Sequence, residues 1–153
     1  MTDPVSAAPL SRSQRIHRMR ARSWALQILY EWESQQDRRT LPEVMDGIVL
    51  LRRISPDRID RVKEHVAAVA GDLPRIDGIL REAMHNWKLE RLSRVDRSVL
   101  RLAVAELIIL RDVPPKVVIQ EAIRLAGQYG GNESPGFVNG VLDAVFRTHL
   151  RDP

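Results

Sequence analysis

Apolar residues recur three and four positions apart along almost the entire chain. Ala21, Ala25, Ile28, Leu29 and Trp32 form one stripe, Leu41, Val44, Ile48 and Leu51 a second, and Ile59, Val62, Val66 and Val69 a third. Beyond Gly71 and Pro74, Leu73, Ile76, Ile79, Leu80 and Met84 form a fourth. This is the spacing of helix faces turned toward a core. Val95, Val99, Leu102, Ala103 and Leu110 predict a long fifth helix, the most apolar of the set. It opens at Ser93, with Asp96 three residues on in a capping-box-like arrangement, and closes at Asp112, Val113, Pro114 and Pro115. Val118, Ile119, Ala122, Ile123 and Ala126 predict a sixth, stopped by Gly130 and Gly131. A seventh starts at Ser134, a good N-cap followed by Pro135, and turns Val138, Val141, Leu142, Val145 and Phe146 inward.

No segment alternates with period two, and Asp46-Gly47 and Asp77-Gly78 both fall inside helical patterns rather than between strand-like runs. The expected class is therefore all-α, with about seven helices in two packed sub-bundles, about 11–87 and 88–150, within one unit covering 11–153. Residues 1–10 read as a disordered tail without the basic and apolar regions of a signal peptide. With 153 residues, 44% hydrophobic and 29% charged, the chain can bury a sizeable core. It has no cysteine, which excludes disulfides, thiol nucleophiles and cysteine-ligated metals. His17, His65, His85 and His149 are far apart and match no metal spacing, so neither a metal nor a cofactor is expected. The longest apolar run, Val99 to Leu110, is too short for a membrane span and contains Arg101 and Glu106. A cytoplasmic protein is expected.

The net charge of +4 permits an acidic partner without identifying one, but its placement is informative. Between Ser11 and Arg22 stand Arg12, Arg15, Arg18, Arg20 and Arg22 with no acidic residue. At roughly 100° per residue, Arg15, Arg18 and Arg22 share one face, Arg12 lies beside it and Arg20 points elsewhere. Tyr30 falls about 60° from Arg15, on the flank of that face. Guanidinium groups suit phosphates and a flat ring suits a splayed base, so the combination fits single-stranded RNA. A solvated face, or contact with an acidic protein, fits the same residues. Cations at a helix N-terminus oppose the macrodipole by about 0.3 to 1 kcal/mol each, which a phosphate backbone would relieve.

Gly136 and Gly140 each cost a helix about 1 kcal/mol relative to alanine. With Phe137 between them they indicate either close helix packing or the approach of a large ligand. Gly140, beside inward Val141, is expected to serve packing, and Gly136, at the exposed helix start, ligand approach. No phosphate loop, nucleophile elbow or catalytic carboxylate pair is present. Glu106 and Glu121 are expected to pair with arginines, with Arg101, Arg111 and Arg124 as candidates, so no catalytic residue is assigned.

Three stretches together resemble a known family. They are Val95-Asp-Arg-Ser-Val-Leu-Arg-Leu-Ala-Val-Ala-Glu-Leu107, Val113-Pro-Pro-Lys-Val-Val-Ile-Gln-Glu-Ala-Ile-Arg-Leu-Ala126 and Ser134-Pro-Gly-Phe-Val-Asn-Gly-Val-Leu142. They are similar to the bacterial transcription antitermination factor NusB family, whose first helix Ala21-Arg-Ser-Trp-Ala-Leu-Gln-Ile-Leu-Tyr-Glu-Trp32 also matches. The resemblance covers Arg15 to about Arg147 and is loose from Arg38 to Gly71. It implies two small helical bundles and no catalysis. It further implies binding of boxA RNA of ribosomal RNA transcripts together with ribosomal protein NusE, within the RNA polymerase antitermination complex. It maps RNA contacts to Arg18, Arg20 and Arg22 and RNA-facing aromatic positions to Tyr30 and Phe137. Glu133 matches an acidic position near both RNA and partner, and Asp96 and Glu121 match the partner-facing side. Met19 stands where relatives often carry a further basic residue. Family members occur as monomers or dimers, and a homodimer would bury the arginine face.

Two alternatives stay open at the level of sequence. One is a helical protein–protein adaptor whose basic helix docks an acidic partner. The other is a stand-alone relative of the domain that precedes the catalytic domain of RNA cytosine methyltransferases, although this sequence has no cysteine to attack a base.

Overall fold

The computed structural model describes residues 9–35 and 38–150. The tail expected over residues 1–10 therefore lies outside the described residues, apart from Pro9 and Leu10. The described residues form seven α-helices: α1 (Arg12–Ser34), α2 (Leu41–Arg52), α3 (Pro56–Gly71), α4 (Leu73–Ala83), α5 (Arg94–Val104), α6 (Pro115–Tyr129) and α7 (Ser134–His149). A 3-10 turn, Leu89–Arg91, precedes α5, and a π-helical segment, Ala105–Leu110, follows it directly.

Local chemistry accounts for most of the boundaries. Ser11 Oγ accepts from the Gln14 amide at 3.1 Å while Gln14 Oε1 accepts from the Ser11 amide at 2.8 Å, a reciprocal cap at the start of α1. It satisfies two end groups of a first turn that contains no acidic residue. Thr40 caps α2 through the Glu43 amide, and Ser93 caps α5 through the Asp96 amide at 3.1 Å, as the spacing predicts. The apolar run from Val99 continues past α5 with one wider turn, in which the Arg111 amide donates to the Glu106 carbonyl at 2.9 Å. Arg111 then takes a left-handed conformation, φ 55°, and ends the segment.

α1 packs on α3, α2 and α5, and α6 packs along α7. α5 lies at the centre, against α1, α4, α6 and α7. α4 packs mainly on α5 and α7 and more lightly on α3, so by contact it groups with the later helices, although it precedes residue 87. The apolar stripes merge into a single core, except that Leu51, expected on the inward stripe of α2, is 81% exposed because the helix is ending there and its last turn runs past the helices it packs on. Ala21 and Ala25, both fully buried, keep the middle of α1 slim where α3 and α5 approach.

Charged side chains tie the helices at their edges. Glu33 near the end of α1 accepts from Arg97 Nε at 2.7 Å and from Arg101 of α5. Arg101 in turn donates two bonds of 2.9 Å to Asp77 of α4. Arg97 also donates to the carbonyls of Leu89, Glu90 and Leu92, fixing the connection into α5. Arg101 therefore serves Glu33 and Asp77 rather than Glu106.

The turn between α6 and α7 departs from the expected capping. Ser134 is the first residue of α7 rather than its N-cap, and its hydroxyl accepts from the Gly131 amide at 3.1 Å. Gly130 is extended, not left-handed, and its requirement for glycine is steric. A Cβ there would lie 2.6 Å from Ser134 Oγ and 2.7 Å from the Ala126 carbonyl oxygen. A Cβ at Gly140 meets nothing within 4 Å, so close helix packing does not account for that glycine, contrary to expectation. Gly130→Ala should therefore cost about 1 to 3 kcal/mol through overpacking. Gly140→Ala should gain about 0.5 to 1 kcal/mol in helix propensity. Denaturant midpoints of the two variants, moving in opposite directions, check both.

Candidate nucleic-acid interface

The row of arginines on α1 does not present one continuous outer face. Arg12, Arg15 and Arg20 are exposed, Arg18 is half-buried, and Arg22 is buried with 3% of its surface accessible. Arg22 Nε donates to both carboxylate oxygens of Glu106, at 3.0 and 2.8 Å. His65 of α3 donates from Nδ1 to the Arg61 carbonyl at 2.8 Å and places Nε2 3.2 Å from Glu106 Oε1. Arg61 approaches Glu106 to 3.9 Å and pairs with Asp112 beyond it. Arg22, expected among the RNA contacts, is thus a core residue, because a guanidinium enclosed by Glu106 cannot reach a phosphate. Glu106 does pair with an arginine, but with one 84 positions away on α1.

This arrangement sets the electrostatics of the helix. Burial would raise the Glu106 carboxyl, but contacts from His65 and Arg22 outweigh it and hold the group below the ordinary range. Asp112 follows the same pattern, burial opposing and the Arg61 hydrogen bond prevailing, so it too is lowered. Arg18 is lowered by burial and then by the charge of Arg61. It remains a cation, crowded by another.

With Arg22 turned inward, Arg20 is brought outward. It lies one turn before Ser23 and two turns before Gln27, on the strip that continues to Tyr30. Ser23, Leu26, Gln27 and Tyr30 line a groove of about 400 Å³ with Val95 of α5 and Tyr129 of α6. Tyr30 is 41% exposed and Tyr129 48%, so two phenols face solvent at its mouth. Tyr129 had no role by sequence; the only signal was an aromatic residue directly before the Gly130-Gly131 stop.

A second groove, of about 470 Å³, opens on the other side of the α5 N-terminus. Asp96, Glu133, Phe137 and Trp87 line it, together with Arg91 and the α6–α7 turn. Asp96 Oδ1 is buried without a hydrogen-bond partner, while Glu133 is exposed. Phe137 is half-buried, packed on the core, and its ring lies 5.8 Å from that of Trp87 at 70°. Gly136 is exposed with nothing within 4 Å of a Cβ placed there. Glu121 lines neither groove, and its carboxylate is held by Arg124 at 2.7 Å. α1 and α7 are each packed against α5, which stands between their exposed faces. Val95 in one groove and Asp96 in the other place the two grooves on either side of the start of α5.

The described residues thus form an all-helical protein with exposed arginines on α1 and two grooves edged by aromatic side chains. The sequence profile of the NusB family matches residues 19–147, and the chain belongs to that family. It is 38% identical over 130 residues to the transcription antitermination protein NusB of Myxococcus xanthus, covering 84% of this chain and 93% of that one. Among solved structures it is similar to T. maritima NusB, with a TM-score of 0.80 and 34% identity over 88% of this chain and 93% of that chain. It is also similar to a chain in the crystal structure of antitermination factors NusB and NusE in complex with dsRNA, with a TM-score of 0.78, 30% identity and coverage of 87% and 98%.

Glu106→Gln or Arg22→Ala leaves a buried charge uncompensated and should cost about 3 to 5 kcal/mol of stability. Because Glu106 is depressed in the folded state, its contribution is complete above the ordinary carboxylate value of 4.5 and is lost as pH falls through the lower folded value. Acid titration of stability should show this loss in the wild type and a flatter profile in Glu106→Gln.

Proposed function

We propose that this protein is a non-catalytic, cytoplasmic transcription antitermination factor that binds boxA RNA of ribosomal RNA transcripts together with ribosomal protein NusE. The observation that carries the reading is the outer strip of α1, where exposed Arg12, Arg15 and Arg20 lead to the groove beside Tyr30. Phosphates need the first and bases the second. Family membership supports the same reading, as does, for RNA binding with NusE in general, the likeness to a chain solved with NusE and dsRNA. The buried carboxylates support a non-catalytic role, since Glu106, Glu33 and Asp77 are each held by arginine.

In this reading Arg15, Arg18 and Arg20 hold phosphates and Tyr30 and Phe137 offer surfaces to bases, with Gly136 leaving room beside Phe137. Arg22 acts indirectly, by fixing how α1 is turned. Asp96 and Glu133, which share one groove, face the protein partner. Glu121 is the weakest of the three acidic candidates because Arg124 already occupies it.

The test is titration of a boxA-like RNA and a scrambled control, with and without NusE, at several salt concentrations. Three or four neutralised phosphates predict that log affinity falls with log salt at a slope of about −2 to −3. Arg15→Ala and Arg20→Ala should each reduce the steepness by about 0.7, and Tyr30→Ala should lower affinity by about 1 to 3 kcal/mol. A salt-independent interaction, or equal affinity for the scramble, would overturn the RNA reading, and retained NusE binding in that case would mark a protein adaptor.

A further inference from the structure

Trp87 is 60% exposed at the end of the connection after α4, a costly place for the largest apolar side chain. Its contact with Phe137 holds one side of the indole and leaves most of the ring to solvent. On the flank away from Asp96, the two rings border a further groove of about 290 Å³, with His85, Asn86, Gly136 and Gly140 among its lining residues. Gly136 and Gly140 lie one turn apart on α7, and a Cβ on either would meet nothing within 4 Å. Two glycines that weaken a helix while filling no tight contact leave a floor without side-chain bulk beside an exposed aromatic wall.

From this geometry we infer that Trp87 and the Gly136–Gly140 floor form a pocket for one unpaired RNA base, stacked on the indole. The inference rests on the RNA reading above, in which Trp87, Asn86 and Gly140 have no part. The groove suits a base because its floor is open at both glycines and its wall is aromatic. His85 and Asn86 supply donors and acceptors at the rim for a base edge. Lys88 and Arg91, both exposed, flank Trp87 in the chain and suit the adjoining phosphates. Phe137 lines both this groove and the one containing Asp96, so a strand passing it continues onto the surface already described.

The experiment measures affinity of the full chain with NusE for a boxA-like single strand and for the same sequence as a duplex. Trp87→Ala should weaken single-strand binding about 5- to 100-fold, the scale of one lost stack, and Trp87→Phe should retain most of it. Gly140→Leu fills the floor and improves helix propensity, so its thermal midpoint should hold or rise while affinity falls about tenfold or more. Neither change removes a charge, so the salt slope should stay as in the wild type, and duplex binding should be unaffected. Wild-type affinity in both Trp87→Ala and Gly140→Leu, with Arg20→Ala still weakened, overturns this inference alone. Equal losses on single strand and duplex also overturn it. Failure of the wild type to prefer the RNA over its scramble removes both readings.

Discussion

The carboxylate of Glu106 sits at the junction of three helices and is reached by Arg22 of α1, His65 of α3 and, at longer range, Arg61. Burial of such a group is tolerated only with close, directional partners. The consequence is geometric before it is energetic. A helix with apolar residues on one side can roll by several tens of degrees without losing much apolar contact, whereas a guanidinium bonded to both oxygens of one carboxylate holds α1 at one rotation. That rotation brings Arg20 and Tyr30 to solvent and commits Arg22 to the interior. The wider turn after Val104, from which Glu106 projects, belongs to the same device.

α5 organises the remainder. Its Arg97 and Arg101 gather Glu33 and Asp77 from two other helices, while its N-terminus separates the groove of Tyr30 from that of Asp96 and Phe137. The surface assigned to ligands is therefore built on the start of the most buried helix, on α1, which ion pairs hold to it, and on α6 and α7, which pack against it. Little reorganisation is needed to present it, which lowers the ordering cost of binding.

Much of this was legible in the chain. The seven apolar stripes correspond to the seven helices, and Ser93 caps as its spacing suggests. What failed did so for identifiable reasons. Periodicity shows that Arg15, Arg18 and Arg22 share a face but not where that face meets a partner, and the partner of Arg22 is 84 residues distant with no local trace. Ser134 looks like a cap, yet the demand comes from Gly131, whose amide claims its hydroxyl. Gly130 reads as an ordinary helix stop but is the sterically constrained glycine, while Gly140, expected to pack, has open space around it. Exposed Trp87 and Tyr129 could be given positions by sequence but not neighbours, and neighbours are what give them a surface.

The crowding of Arg18 by Arg61 has a thermodynamic side. Two like charges held in a partly desolvated setting raise the free energy of the folded state, and Asp112 offsets this only in part. If Arg18 holds a phosphate as proposed, the arriving anion lowers that energy, and ligand binding and folding become linked equilibria with Arg18 as the common element. In the RNA reading proposed above, the protein would be most stable with its cationic helix occupied, and the bound polyanion would count among the terms that hold the native state together.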